Sequence, residues 1–140
     1  GGSVMAALMP IPPKHGGTRR EKRKYYHHEA YTASDVDLFI YGLDEAQASE
    51  KLKEVYFCIC DTFPDLTTQP LCFRTKYAVT IVSKFPHRHV QVVLRVYKSP
   101  AEVLAGFDVD SCSVGFDGSN VWMTPRCHNS VTAQYNIVDM

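Results

Sequence analysis

Residues 34–42 read SDVDLFIYG, and this stretch decides the fold. Its β-branched and aromatic residues predict a strand from Asp35 to Tyr41 that ends at Gly42. Side chains along a strand point alternately to its two faces, so Asp35 and Asp37 share one face while their apolar neighbours point to the other. The sequence therefore predicts two carboxylates side by side at the start of an apolar strand.

The two acids Asp35 and Asp37 have two interpretations. Two carboxylates on one face repel each other unless a cation lies between them or one of them takes up a proton. Mg²⁺ is commonly bound by one or two carboxylates while substrate phosphates complete its octahedral shell. The alternative is that Asp35 caps a turn and Asp37 only faces the solvent, as acids do on many exposed strands.

Further elements are predicted on both sides of this strand. The stretch Ser3–Met9 reads as a helix with Ser3 as its N-cap. Residues 10–34 are rich in proline, glycine and charge, which predicts a long mobile basic loop inserted before the strand. A capping box at Asp44 opens a helix that runs to about Cys60.

The second half of the chain alternates strands with short helices, as β-branched runs, capping boxes and turn residues indicate. Its predicted elements are a loop at Asp61–Leu71, strands at Phe73–Thr75, Tyr77–Ser83 and His89–Tyr97 with a turn around Pro86, a short helix from Ser99 to Gly106, a hairpin of Ser111–Phe116 and Asn120–Met123, and a helix near Asn129. The predicted fold class is mixed α/β (α+β), with a central sheet of about five strands flanked by helices. We expect residues 1–140 to be one domain of a longer chain.

The composition is that of a globular protein. Of the 140 residues, 45% are hydrophobic and 21% are charged, and no apolar run approaches the roughly 18 residues of a membrane span. Five cysteines in mostly apolar surroundings are typical of reduced core residues in an intracellular protein, cytoplasmic or nuclear. The 15 basic and 15 acidic residues cancel, so the whole chain lacks a strongly basic nucleic-acid footprint.

Basic residues are nevertheless concentrated in one segment, residues 14–24. This segment carries Lys14, Arg19, Arg20, Lys22, Arg23 and Lys24. Such a segment predicts contact with a polyanion, namely RNA, DNA or a nucleotide tail. The alternative is an exposed loop that its charges keep solvated.

The first three residues, Gly1-Gly2-Ser3, add a second feature, because glycines at a helix start let backbone N–H groups approach a phosphate. A glycine-serine turn that opens a helix, followed by a strand reading Asp-x-Asp, resembles the DNA polymerase beta-like nucleotidyltransferase superfamily. The stretch from Tyr77 to Gly118 also looks like domains found beside ankyrin repeats or in viral and phage genomes. Gly1–Ser3 are also typical of an artificial linker, and that alternative stays open.

The resemblance implies transfer of a nucleotidyl group from a nucleoside triphosphate to an acceptor, which is RNA, a protein or a small molecule. It implies that Gly2 and Ser3 hold the triphosphate, and that Asp35 and Asp37 hold Mg²⁺ or Mn²⁺. Arg74, on or near a strand, is a further candidate for a triphosphate contact; the alternative is a solvated residue at the edge of the sheet. A membrane partner is not expected.

Active members of this superfamily carry a third carboxylate on a later strand. The matching strand here, His89–Tyr97, presents Gln91 on its polar face and no acid. Asp108, as a metal ligand, and Asp110, as a catalytic acid, supply the third carboxylate if their segment folds back beside the first strand; otherwise they are exposed acids at a helix exit. The alternative function is a catalytically inactive fold that binds a nucleotide or a protein, and Gln91 favours it.

Overall fold

A computed structural model of the chain describes residues 1–63, 70–85 and 87–137. The helices in these ranges are α1 (Gly2–Leu8), α2 (Arg19–His28), α3 (Glu45–Cys60), α4 (Pro100–Ala105) and α5 (Pro125–Ala133). The strands are β1 (Val36–Tyr41), β2 (Leu71–Arg74), β3 (Ala78–Val82), β4 (Val90–Tyr97), β5 (Val114–Phe116) and β6 (Val121–Met123). The predicted mixed α/β fold class is confirmed.

The chain forms two compact units. The sheet unit is Asp35–Val103, and the terminal unit combines Gly1–Ser34 with the described residues from Leu104 onward. The sequence predicted one domain, because 140 residues is about the length of a single domain. The terminal unit brings together the two ends of the chain, and such long-range pairing leaves no local signal in the sequence.

Four strands form the sheet of the sheet unit, in the order β1-β4-β3-β2. β1 is parallel to β4, and β3 is antiparallel to both β4 and β2. Alternation along the strands places Val79, Ile81 and Val92 on one face, where all three are buried. The sheet predicted to have about five strands thus has four, and β5 pairs with β6 in a separate two-stranded sheet.

Helix α3 follows β1 and begins where the sequence predicted. The Asp44 side chain accepts the Gln47 N–H at 2.8 Å, and the Gln47 side chain accepts the Asp44 N–H at 3.0 Å. This reciprocal capping box satisfies two backbone donors that a helix start otherwise leaves without partners. No helix within residues 1–63, 70–85 and 87–137 is both long and apolar enough to cross a bilayer.

The terminal unit has a small core of its own. Met5 of α1 packs with Val114 of β5 and Cys127 of α5, and all three side chains are buried. Helix α5 begins with Pro125 at its first position, and the Thr124 hydroxyl accepts the Cys127 N–H at 3.2 Å. The core therefore joins the first helix of the chain to the elements near its other end.

The prediction of a loop over residues 10–34 was wrong for residues 19–28, which form α2. Thr18 and Glu21 make a capping box: the Thr18 N–H donates to Glu21 at 2.7 Å, and the Glu21 N–H donates to the Thr18 hydroxyl at 3.2 Å. The prolines, glycines and charges around this segment indicated a loop. The Thr-x-x-Glu signature immediately before the basic residues was the signal that could have found the helix.

The start of α1 differs from its prediction. The N-cap of α1 is Gly1, so Ser3 is a helical residue and not the predicted cap. An extended residue before the first turn is what defines a cap, and the helix already begins at Gly2. The predicted turn around Pro86, and residues 64–69 of the predicted loop Asp61–Leu71, lie outside the described residues.

We expect the fluorescence of Trp122 on β6 to change in acid, because its indole N–H is bonded to the Asp117 carboxylate in the turn between β5 and β6. Backbone N–H groups of Asn120 and Ser119 and the Trp122 indole donate to the Asp117 carboxylate at 2.6, 2.8 and 2.6 Å. These hydrogen bonds lower the pKa of Asp117 to about 2, and the bond from the Asn120 N–H has the largest effect. The carboxylate is bonded in the folded state, so its stabilising effect is present above its ordinary pKa of 3.8 and is lost as the pH falls to about 2.

The single tryptophan makes this change measurable. We expect the emission of Trp122 to titrate with a midpoint near pH 2 in the native chain and to lose that step in Asp117→Asn. A midpoint near 3.8, the ordinary value, would show that the carboxylate is not held by these donors.

Candidate functional site: a carboxylate pair on a mixed sheet

The carboxylate pair consists of Asp35 and Asp37. Asp35 immediately precedes β1, and Asp37 is the second residue of that strand. Both residues are exposed, and the Asp35 carboxylate is close enough to Asp37 to raise the pKa of its carboxyl group. That both acids share one face of the sheet stays a prediction, because the register of β1 begins at Val36.

The neighbouring strand β4 places a polar residue in register with Asp37. Asp37 is the register partner of Gln91 on β4, and Gln91 is in turn the partner of Thr80 on β3. Partners in adjacent strands project to the same face, with their Cβ atoms about 5 Å apart. One polar row, Asp37-Gln91-Thr80, therefore crosses three strands on the face opposite to the buried valines.

The surroundings of Asp37 change the pKa of its carboxyl group. Desolvation by the surrounding protein, and then repulsion from the Asp35 carboxylate, raise the pKa of Asp37 above its ordinary value. Both effects disfavour the charged form of a carboxyl group. A cation held between the two carboxylates would reverse the second effect and offset the first.

The oxygen donors of this site are two carboxylates and one amide. Within the described ranges, no group of three or more His, Cys, Asp or Glu side chains could hold a metal ion. Asp35 and Asp37 supply two hard oxygen ligands, and the amide of Gln91 lies on the same face. That set is too small for a closed metal cage, but it fits Mg²⁺ bound by one or two carboxylates together with phosphate and water oxygens.

The predicted third acid, Asp110, is a buried residue of the terminal unit. Its carboxylate lies 3.3 Å from the guanidinium of Arg126 and accepts the Ile137 N–H at 3.1 Å. The residue is only 4% exposed. Asp110 thus has a structural ion-pair partner, whereas Asp108, the predicted metal ligand two residues before it, is exposed.

Arg74, predicted to contact the triphosphate, is not brought to the carboxylate pair. Its register partner on β3 is Val79, which pairs with Val92 and so belongs to the row adjacent to that of Asp37. Adjacent rows project to opposite faces of a sheet. Arg74 also lies on β2, three strand spacings or about 14 Å from β1. The register therefore places the Arg74 side chain on the face of the sheet opposite to Asp37, away from a nucleotide bound at the carboxylate pair.

Gly2 and Ser3 lie at the start of α1 in the terminal unit and contact Ser34. The Ser3 and Ser34 hydroxyl oxygens are 3.2 Å apart, and a Cβ added to Gly2 would lie 2.8 Å from the Ser34 hydroxyl oxygen. A side chain at position 2 would therefore require the Ser34 hydroxyl to move away. Contact of Gly2 and Ser3 with a phosphate stays a prediction.

Nearly the whole chain is similar to one family of proteins. A family model described as "Gabija anti-defense 2 family protein" matches residues 1–134, which is nearly the whole chain. The chain belongs to the Gabija anti-defense 2 family. The description of this family names an anti-defense role and does not mention nucleotidyl transfer, so the resemblance to the nucleotidyltransferase superfamily stays a prediction.

A viral protein is also similar to this member of the Gabija anti-defense 2 family. "Uncharacterized protein R883" of Acanthamoeba polyphaga mimivirus is 36% identical over 110 residues, which are 68% of this chain and 24% of the mimivirus protein. The chain therefore spans about a quarter of the length of this relative. No solved structure matches the chain.

Sequence reasoning missed one aspect of the site in this family member. Gln91 was identified only as the polar residue of a strand that lacks an acid, whereas its register partner is Asp37. The pairing of β1 with β4 joins residues more than 50 positions apart, and no local pattern fixes it. The alternation of β4 gave the correct face for Gln91, but only the register shows which acid it faces.

Proposed function

We propose that the chain transfers a nucleotidyl group from a nucleoside triphosphate to an acceptor hydroxyl, with Asp35 and Asp37 as the ligands of Mg²⁺ or Mn²⁺. The observation that carries this proposal is the pair of carboxylates at the start of β1, where desolvation and the charge of Asp35 raise the pKa of Asp37. Such a pair is unfavourable on its own and becomes favourable when a cation joins it. A site that needs a cation and leaves most of its coordination shell open suits a metal that arrives with a triphosphate.

The proposed reaction is a substitution at the α-phosphorus. The acceptor oxygen forms a bond to phosphorus, the bridging bond to the β-phosphate breaks, pyrophosphate leaves with the electron pair, and the hydroxyl proton goes to water. When bound, the cation neutralises charge on the triphosphate. Asp35 and Asp37 fix the position of that charge, and Gly2 and Ser3 are proposed as triphosphate contacts on the strength of the superfamily resemblance.

Membership of the Gabija anti-defense 2 family supports a biological role for this chemistry in countering Gabija defense. We propose that the acceptor is an RNA, a protein or a small molecule of the defended cell, modified in the cytoplasm or nucleus where nucleoside triphosphates and Mg²⁺ are abundant. In cells that carry Gabija, expression of the native chain should restore infection, whereas Asp37→Ala should not.

Labelled nucleotides test the proposed reaction directly. The full chain is incubated with Mg²⁺ or Mn²⁺, each nucleoside triphosphate in turn, and the RNA, protein and small-molecule fractions of a lysate. Label at the α-phosphate should enter the acceptor, while label at the γ-phosphate should appear only in pyrophosphate. Asp37→Ala should lose the transfer, and Glu54→Gln, which removes only a surface ion pair of α3, should keep it. Transfer of the γ-label, or unchanged transfer by Asp37→Ala, would contradict the proposal.

A catalytically inactive fold is the second candidate, and Gln91 favours it. An amide opposite Asp37 offers a neutral oxygen but cannot accept a proton from an attacking hydroxyl. In this case the carboxylate pair binds a cation with a nucleotide, and the complex serves as a binding module. Calorimetric binding of Mg²⁺–ATP without any transfer to the acceptor fractions would support the inactive fold.

Replacing Gln91 by Asp is predicted to strengthen metal binding. The new carboxylate would face Asp37 across two paired strands and add a third negative ligand, so we expect the affinity for Mn²⁺ to rise by about tenfold. Calorimetric titration with Mn²⁺ measures the change, and Gln91→Asn, which shortens the side chain without adding charge, is the control. Equal affinities for Gln91→Asp and the native chain would show that residue 91 is not beside the cation.

A further inference from the structure

The basic stripe is an exposed row of cations on α2. It consists of Arg19, Arg20, Arg23 and Lys24, all exposed. At 100° per residue these four positions fall within about 140° of the helix circumference, and they form two like-charged pairs at i and i+4, Arg19 with Arg23 and Arg20 with Lys24. Like charges at this spacing destabilise an isolated helix. The stripe therefore costs the free chain some stability.

The cations of the stripe have no acidic partner among the ion pairs of the described residues. The lysines of α3 differ: Lys51 is paired with Glu54 and Lys53 with Glu50. The acid nearest in sequence to the stripe, Glu21, is bonded to the Thr18 N–H and hydroxyl. Arg23 is bonded to the His27 imidazole at 3.4 Å, and no acid in the ion pairs of the described residues neutralises the stripe, although the whole chain has no net charge.

The helix that carries the stripe is held in place by its own surroundings. The capping box of Thr18 and Glu21 fixes its start, and the ring of Tyr25 stacks on His15 with centroids 5.2 Å apart. Glu29, just past its end, is bonded to Lys14 and His15. A fixed helix presents its cations without the full entropy cost of ordering a loop upon binding.

The chemistry of α2 favours a nucleic acid over a membrane. An interfacial membrane helix needs a large apolar face of residues such as Leu, Phe or Trp, whereas the sequence of α2, RREKRKYYHH, contains no aliphatic residue. Its length of about 15 Å spans about four phosphates of one strand at 3.4 Å each. We propose that the basic stripe of α2 binds the phosphate backbone of a nucleic acid. This binding does not depend on nucleotidyl transfer at the carboxylate pair.

Fluorescence anisotropy with labelled 25-mers of one sequence tests the proposal, with single-stranded and duplex RNA and DNA as separate arms. The test variant of the full chain is Arg19→Gln/Arg20→Gln/Arg23→Gln/Lys24→Gln, since Gln keeps helix propensity and removes charge. The control, Lys51→Gln/Lys53→Gln, removes two cations that already have acidic partners.

The native chain should bind at least one of these nucleic acids with an affinity that falls as salt rises. The stripe variant should bind at least about tenfold more weakly at 100 mM salt, with a shallower salt dependence, while the control should change less than about twofold. If circular dichroism shows that the stripe variant is unfolded, Arg20→Glu alone should still weaken binding.

Three outcomes would overturn the proposal. The first is that neither RNA nor DNA binds in a salt-dependent way. The second is that the stripe variant, or Arg20→Glu where that is the folded variant, binds as tightly as the native chain. The third is that vesicles of anionic lipid bind through the stripe while nucleic acids do not, which would assign α2 to a membrane surface.

Discussion

Replacing Asp37 by Asn is expected to abolish Mn²⁺ binding and, at the same time, to raise the thermal stability of the metal-free chain at pH 7. Desolvation and the Asp35 carboxylate raise the pKa of Asp37 in the folded state. A carboxyl group with a raised folded pKa stabilises the fold below its unfolded pKa, and that stabilisation is lost as the pH rises through the folded pKa. At pH 7 the charge of Asp37 therefore opposes folding, and a neutral amide of the same shape removes the opposition.

Two titrations measure these effects. The melting temperature of Asp37→Asn should exceed that of the native chain at pH 7, and the difference should vanish as the pH falls toward the ordinary value of 3.8. Calorimetry should show that its Mn²⁺ affinity is at least about 100-fold weaker, since a direct ligand matters at least as much as its supporting partners. The control Glu54→Gln should bind Mn²⁺ as the native chain does. Native affinity in Asp37→Asn would remove Asp37 from the metal site.

The second large effect is expected from Asp110→Ala, which should lower the free energy of unfolding by about 2–4 kcal/mol. Asp110 is buried, and its carboxylate serves both the Arg126 guanidinium and the Ile137 N–H. Alanine removes the carboxylate, so the Ile137 N–H loses its acceptor. Among the described residues, the Arg126 guanidinium then keeps only its bonds to the Phe107 carbonyl and the Ser113 hydroxyl. Each loss is among the mechanisms that account for the larger effects of single substitutions.

Urea unfolding followed by circular dichroism measures this loss. Asp108→Ala, at an exposed position two residues earlier, is the matched control and should change stability by less than about 0.5 kcal/mol. Equal stability of Asp110→Ala and the native chain would contradict the ion pair with Arg126.

Asp110→Asn separates the structural role of Asp110 from its predicted catalytic role. An asparagine oxygen can still accept the Ile137 N–H, so this variant should fold. If it folds and loses nucleotidyl transfer while keeping Mn²⁺ affinity, the prediction of Asp110 as the third acid is supported. If it folds and keeps transfer, Asp110 only holds the terminal unit together.

Local signals account for the parts of the fold that could be predicted. Strand β1 and helix α3 were found because a β-branched run and the capping box of Asp44 and Gln47 act within a few residues. Helix α2 was missed although the same kind of capping box is present at Thr18, because six cations within eleven residues resemble a disordered segment. Packing and capping, and not average composition, decide whether such a segment is helical.

The candidate site shows the same division between local and long-range information. Alternation along the strand predicts a common face for Asp35 and Asp37, and this prediction depends only on neighbouring residues. The register with Gln91 and the position of Arg74 in the adjacent row depend on strand pairing, where a shift of one residue exchanges the two faces. The burial of Asp110 depends on Arg126, sixteen positions later, and so could not be read from the acids of its own segment.

The central claim is that Asp35 and Asp37 together bind the divalent cation of a nucleotide substrate. Anomalous diffraction from a crystal grown with Mn²⁺ and a non-hydrolysable nucleoside triphosphate tests this claim most directly. We expect one peak within about 2.2 Å of an oxygen of each carboxylate, with triphosphate oxygens completing the shell. Mn²⁺ and triphosphate ordered elsewhere on the chain, with both carboxylates bonded only to water, would contradict the claim.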